Sequence, residues 1–599
     1  MKSLSLLFLS LLITGSSYAQ DAGGDWRTSF STVAEHLRQE MDVEDKSADS
    51  AIFLPMPRFA YVNIKGTMSL PTAKTTKRNA WLEMYDGKGH YFKKRIVITA
   101  QGNYTLRLEK KSYNFDLSDN DWDLTSQPQI AFGNWVDQDG FLLKGFYTDA
   151  IRGISEVGYN LFEEVVEDRK PFWEREGYKK ESDARCFPDG FPCAVYFNGD
   201  FLGLYSWQLK KSRKNMNMKK HTAEHIHIDG DIRDEFFFGG NISWEHFDVR
   251  NPKDIYTKTD TEYDGNSPDE LMGDDSPYLS TTESADHMKD LIRTIKVKNY
   301  IIGFSKCCGD LKELDNRGVS ETEFKAEFER HYEVQSLLDY YVFNRMTMNL
   351  DGMLKNWQWF TYNGNQWMVA PYDLDMTFGV TLYGFPVPVE RSKSYLTQGP
   401  YVWMDKYYSE QERERYIELR QKGVFDVANI HSLLDDWCDR IGEEYYALEK
   451  ARWPESPCYN DIEISPNWEL YEDWENFDKY KDYNPFKTYK AGDICLYQSR
   501  LWRATDVTVG VEPPIRNAGK DDLQRIKDWV VKRIDYMDAF YGYDPVSVRG
   551  ITTDSLSDCS EVVGIYSLTG MPIKASVGGV NIYRYSDGTA RKVVRMKEN

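Results

Sequence analysis

Between Pro57 and Phe132 apolar and polar residues alternate with a period of two, broken only at turn-forming positions. Ala60 to Ile64, Asn79 to Tyr85, Tyr91 to Ala100, Tyr104 to Leu108 and Ser112 to Leu117 therefore predict strands of an antiparallel sheet. Phe141 to Tyr147 predicts another. From Thr148-Asp149 the period changes, and Ile151, Ile154, Val157, Leu161 and Val165 recur at helical spacing. Phe191 to Tyr205 returns to strand character around the tight turn Phe197-Asn198-Gly199-Asp200-Phe201. The strongest helical segment is Phe324 to Leu350, with apolar positions at Val334, Leu337, Leu338, Tyr341 and Val342. Ser409 to Gln421, Val427 to Lys450 and Leu523 to Tyr541 predict further helices. Beyond Asp544 the chain is turn-rich, with strand character at Val562 to Ser567, Gly578 to Tyr585 and Ala590 to Met596. A β-rich first part, a helical second part and a small all-β end predict an α+β protein.

The chemistry concentrates where the long helix ends. Asp351 and Asn356 stand five positions apart, followed by a strand from Trp357 to Tyr362, a turn at Asn363-Gly364-Asn365 and a returning strand from Gln366 to Pro371. A two-residue Asn-Gly loop places Asn356 opposite Pro371, and a Gly-Asn loop places it opposite Asp373. Either register returns Asp373 close to Asn356. Asp373 and Asp375 share a face if the strand continues, so both can approach one cation. Hard oxygen donors of this kind suit magnesium or manganese, not zinc.

Composition narrows the function classes. With 599 residues and 41% apolar content the chain can bury a sizeable core and hold more than one domain. A net charge of −21 argues against unassisted binding to nucleic acid or anionic membrane. Residues 1–19 read as a signal peptide, with Lys2, an apolar run from Leu4 to Ile13 and small residues ending at Ala19. That run is too short to span a bilayer. The mature chain is therefore expected to be exported, without a membrane span.

Eight cysteines do not make a disulfide scaffold, although Cys186 and Cys193 bracket a turn that can bring them together. His225, His227 and Asp229 alternate onto one strand face, but no second histidine cluster completes a hydrolytic metal centre. The acidic run between Asp260 and Asp275 imitates a calcium loop, yet its twelfth position is Leu271, so it reads as a solvated loop.

The pattern N-x-D-x-x-x-x-N, then a hairpin, then P-[WY]-D-x-D-x-x-x-G at 349–379 resembles the CotH-type secreted kinases, an atypical branch of the protein-kinase-like fold. The resemblance runs with interruptions from about residue 57 to 545. It implies a two-lobe fold, with an antiparallel β-rich N-lobe and a helical C-lobe. It makes Asp351 the catalytic aspartate, Asn356 and Asp373 the metal holders, and Asp375 a second candidate ligand. It also covers Gln101-Gly102-Asn103-Tyr104-Thr105 and the following Lys110-Lys111-Ser112-Tyr113, which makes Asn103, Lys110 and Lys111 candidates for the nucleotide phosphates. Which of the two lysines points inward is open. Asp149 and Arg152, one turn apart on the helix that opens at Thr148-Asp149, resemble the family's D-x-x-R, which makes Arg152 a further candidate for the nucleotide site, and Glu156 is a helix carboxylate that could pair with a lysine. Phe197 to Tyr205 resembles the family's N-G-x-[YF]-x-G-x-Y strand pair, but Gln208 stands where a glutamate is usual; a neutral amide there can still hydrogen-bond a nucleotide.

Two shorter stretches resemble other modules. Tyr489 to Ala504, with Glu512-Pro513, is similar to small chitin-binding modules, although Thr505-Asp506-Val507 replaces the expected tryptophans. The end of the chain is similar to the C-terminal sorting domains of type IX secretion. The expected division is a leader at 1–19, an N-terminal segment at 20–56, an N-lobe at 57–214, an insertion at 215–300, a C-lobe at 301–545 containing a β insert at 466–520, and a β-rich domain at 546–599. The resemblance implies transfer of a γ-phosphoryl group from ATP or another nucleoside triphosphate, with Mg2+ or Mn2+, to Ser or Thr of an extracytoplasmic protein, the chain itself included. The alternative is a non-catalytic surface protein that binds glycan or protein on the same scaffold.

Overall fold

The computed structural model describes residues 25–167, 187–252, 284–380, 398–459 and 467–544, apart from short stretches that include Asn103 and residues 350–351, together with three strands beyond 560. The leader, the acidic loop and Cys186 lie outside the described residues. Two compact units are present, Met1–Met537 and Asp538–Asn599.

The first unit begins with helix α1 (Phe30–Glu40) and then builds ten strands. They are β1 (Glu44–Asp45), β2 (Ala51–Leu54), β3 (Ala60–Lys65), β4 (Arg78–Tyr85), β5 (His90–Gln101), β6 (Ser112–Ser118), β7 (Gln129–Phe132), β8 (Gly140–Lys144), β9 (Gly190–Phe197) and β10 (Asp200–Leu209). Eight of them form one sheet in the order β1-β5-β4-β3-β9-β10-β8-β6, and β6 pairs back onto β5. The sheet therefore closes into a barrel. Two of its pairings, β1 with β5 and β3 with β9, are parallel, where the alternation had predicted an antiparallel sheet. Local alternation fixes which face of a strand is apolar but carries no information on partner direction.

Alternate residues fill the barrel: Val62 and Ile64, Leu82 and Met84, Ile96 and Ile98, Phe115 and Leu117, Phe141 and Leu143, Tyr205, Trp207 and Leu209. Their neighbours in sequence face outward, which puts Lys144, Ser206 and Gln208 on the outer wall. Tyr104–Arg107 is a turn of 3-10 helix where a strand had been expected. The chain bends at Gly102 (φ +108), where the Thr105 hydroxyl occupies the space a side chain would need.

Helix α2 spans Ile154–Glu167 and crosses the outer wall. A second sheet, ordered β12-β11-β13-β14, combines β11 (Ile226–Gly230) and β12 (Phe247–Asn251) with the hairpin strands β13 (Trp357–Thr361) and β14 (Met368–Pro371). Thus the stretch expected to be an insertion supplies two strands beside the hairpin, and then helix α3 (Ser284–Arg317), which the sequence pattern had not revealed. The long helix expected at Phe324 to Leu350 is two, α4 (Glu321–His331) and α5 (Val334–Thr347). Between them the backbone of Trp367 exchanges hydrogen bonds with His331 and Glu333, at 2.7 and 2.9 Å, and a helix cannot continue through such a pairing. Helix α6 (Ser409–Gln421) follows, and Gly442 (φ +82) divides the next segment into α7 (Val427–Ile441) and α8 (Glu443–Arg452). Strands β15 (Trp468–Tyr471), β16 (Ile494–Tyr497) and β17 (Arg500–Ala504) form a three-stranded sheet over Trp468, Tyr489 and Trp502. Helix α9 (Leu523–Tyr541) comes last in the helical part. In the second unit β18 (Val562–Tyr566), β19 (Gly579–Tyr585) and β20 (Ala590–Arg595) form an antiparallel sheet.

Candidate active site

The hairpin register resolves between the two alternatives read from the sequence. Trp357 pairs with Pro371 and Phe360 with Met368, the last pair before the turn around Asn363-Gly364-Asn365, so Asn356 lies opposite Tyr372. Asn363 Oδ1 accepts the amides of Asn365 and Gln366 at 2.9 Å, and Gly364 takes φ +78, a left-handed conformation that glycine adopts without strain. The Tyr372 amide donates to the Asn356 carbonyl at 3.0 Å. Strand geometry then ends. Asp373 adopts φ +54, a left-handed conformation that costs a non-glycine residue about 1–3 kcal/mol. Its amide donates to the Tyr159 hydroxyl of α2 at 2.8 Å. Asp375 therefore reaches the site from a turn and not by strand alternation.

Asp373 faces the barrel wall. Lys144 Nζ, at the end of β8, lies 3.0 Å from Asp373 Oδ1. Burial works against the Lys144 ammonium, but Asp373, Tyr372 and Asp375 outweigh it and hold its pKa above the ordinary lysine value. Ser206 is Lys144's cross-strand neighbour on β10, and Gln208 stands two residues further. Both donate to Glu156 Oε1 of α2, at 2.5 and 2.8 Å. Burial pushes the Glu156 carboxyl up to about 7, against the pull of those two hydrogen bonds and of Lys144. Barrel wall, helix and hairpin thus converge on one polar cluster: Lys144, Glu156, Ser206, Gln208, Tyr159 and Asp373.

Lys110 and Lys111 do not join this cluster. Lys110 is fully buried elsewhere, with Nζ 2.6 Å from Glu449 Oε1 of α8 and a hydrogen bond to the Leu204 carbonyl. Burial lowers its pKa to about 8 despite Glu449. Lys111 donates to the Leu108 carbonyl. Arg152 lies before α2, not on it, because Asp149 accepts the amides of Ile151 and Ile154 at 2.9 and 2.7 Å and the helix starts only at Ile154. The Arg152 guanidinium is buried against Glu449 Oε1 at 2.7 Å, and also donates to Tyr147, Ser456 and Tyr459. Asn103 and Asp351 lie outside the described residues. Asp229, read as one of a possible histidine-aspartate set, is engaged by Lys211 and Arg250.

Residues 98–476 match the family model described as CotH kinase protein. The chain belongs to the CotH kinase family. No curated protein matches it. In this CotH chain Asn356, Asp373 and Asp375 carry amide and carboxylate oxygens, the donor chemistry that a hard divalent cation takes, and Asp373, with its side chain 28% exposed, pairs with the buried Lys144. Among the described residues no group of three or more His, Cys, Asp or Glu is gathered as a metal cluster. Sequence reasoning missed Lys144 and Tyr159. For Lys144 a signal existed, since it is the one charged residue in the run Phe141-Leu142-Leu143-Lys144-Gly145-Phe146-Tyr147, and a lysine in so apolar a strand requires a buried partner.

Proposed function

We propose that this CotH kinase family member transfers the γ-phosphoryl group of a nucleoside triphosphate, ATP by preference, to a Ser or Thr hydroxyl of an extracytoplasmic protein. The observation that carries the reading is the Lys144–Asp373 pair, a buried ammonium from the barrel against a left-handed aspartate from the hairpin. Lys144 supplies the positive charge that phosphate oxygens need, preorganised and shielded from water, where it acts most strongly. Glu156 stands behind it as a second carboxylate within electrostatic reach. Asn356, Asp373 and Asp375 are the residues that would hold Mg2+ or Mn2+, and the ion would neutralise charge on the transferring phosphoryl group. Asp351 is assigned from its motif position to orient the acceptor hydroxyl. The barrel and the helical part correspond in this reading to the N- and C-lobes of a kinase-like fold. Export through the 1–19 leader, and sorting through the β-rich end, remain part of the proposal. The non-catalytic glycan-binding alternative has less support. Trp468 and Trp502 of the small β insert are buried in its own core, and among the insert's described residues Phe486 is the exposed large aromatic.

The test is transfer of radiolabelled phosphate from γ-labelled ATP with Mg2+ or Mn2+, to the chain itself and to a generic protein acceptor. Wild type should label, and Lys144→Met and Asp373→Ala should each lose about 10²–10³-fold in rate, the cost of removing one preorganised electrostatic group. Folded Lys144→Met that labels within threefold of wild type would remove Lys144 from the mechanism.

A further inference from the structure

We propose that Asp229 and Lys211 are positioning residues that brace Tyr372, and through it the left-handed Asp373, against the segment that leaves the barrel after β10. The proposal rests on the reading of Asp373 as a metal-holding carboxylate.

Asp229 sits on β11, the strand beside the hairpin, with its side chain 2% exposed. A buried carboxylate is tolerated only with close cationic partners. Asp229 has two: Lys211 Nζ on Oδ2, and Arg250, with Nε on Oδ1 at 2.6 Å and Nη2 on Oδ2 at 3.5 Å. Burial would raise the Asp229 pKa, and the two cations reverse that and hold it well below the usual carboxylate range. Arg250 is fixed in turn by Asp248, 2.9 Å from its Nη2. Lys211 is therefore pinned. Its ammonium lies 3.7 Å from the centroid of the Tyr372 ring, inside the range of a strong cation–π contact, whereas Lys144 Nζ lies 5.5 Å from the same ring.

Tyr372 is thereby held twice, by its amide on Asn356 and by its ring under Lys211. The next residue carries the strained φ of +54. A backbone in that region persists only where its surroundings over-determine it. Lys211 lies two residues beyond the end of β10, so the brace joins Asp373 to the barrel through a second route beside the Lys144–Asp373 pair. Arg250 stays on Asp229 whether or not Lys211 is present, which makes Lys211 the element that can be removed without stranding the buried carboxylate.

The test is titration of the full chain with Mn2+ alone, reading the free ion by electron paramagnetic resonance, for wild type, Asp373→Ala, Lys211→Gln, Lys211→Arg and Asp229→Asn. Lys211→Gln keeps a hydrogen bond for Asp229 and removes the charge above the ring. It should bind Mn2+ about tenfold more weakly than wild type, a loss of about 1.4 kcal/mol, with a melting temperature within about 2 °C. Lys211→Arg, which can both stack and pair, should restore binding. Asp229→Asn should weaken Mn2+ in the same direction, and serves if Lys211→Gln does not fold. Wild type and Lys211→Gln that bind Mn2+ equally overturn the brace alone. Wild type that takes up no Mn2+, or Asp373→Ala that takes it up as well as wild type, overturns the metal reading and the brace with it.

Discussion

Replacing Glu156 by Gln should stabilise the protein, and increasingly so as the pH rises. Glu156 is 2% exposed, and its nearest polar contacts are the neutral donors Ser206 and Gln208. Burial pushes its carboxyl from 4.5 up to about 7. A folded-state pKa above the unfolded one means that the folded chain binds more protons between about pH 4.5 and 7. Stability therefore falls as the pH rises through that window, and the full penalty, about 3 kcal/mol, is present above it. Glutamine keeps an acceptor for Ser206 and Gln208 and cannot ionise. The advantage of Glu156→Gln should be roughly 2 kcal/mol at pH 6 and about 3 kcal/mol at pH 8. Urea unfolding followed by tryptophan fluorescence at the two pH values measures it, since Trp207 lies in the barrel core. An advantage that shrinks or reverses toward pH 8 would refute the reasoning. It would mean that Glu156 is ionised in the fold and stabilised by Lys144 more than it is penalised by burial.

Glu449→Gln should act in the opposite sense. It leaves Lys110 and Arg152 buried without their shared carboxylate, and should cost about 3–5 kcal/mol, seen as a large fall in the urea midpoint at pH 7. The Glu449 pKa is held below its ordinary value, since Lys110 and Arg152 overcome the effect of burial. Its contribution is thus complete above about pH 4.5 and is lost as the pH falls through the lowered value. Gly379→Ala should destabilise by about 1–3 kcal/mol, because Gly379 takes φ +76 and a methyl there would overlap the Trp529 indole of α9. Thermal unfolding that leaves the Ala variant unchanged would show that α9 is not seated on the hairpin exit.

Much of this protein could be read locally. The period-two pattern located most barrel strands, and the residues it marked as apolar are the ones that fill the barrel. The Asn363-Gly364-Asn365 turn returned Asp373 to Asn356 in any register, because a tight turn fixes proximity even when its loop length is uncertain. The family resemblance was carried by the motif at 349–379, and the match over 98–476 agrees with it. Partners far apart in the chain could not be read. Nothing near Lys110 announces Glu449, 339 residues away, and nothing near Lys144 announces Asp373, 229 residues away. Lys144 sits in an apolar run, so the sequence determined that it must be buried against an acid, whereas Lys110, between Glu109 and Lys111, carried no such signal. Only closure of the barrel, the seating of α8 and the exit angle of the hairpin decided which acid each one met. A charge in a low-dielectric interior is satisfied by whatever the fold brings within about 4 Å, and that distance belongs to tertiary structure.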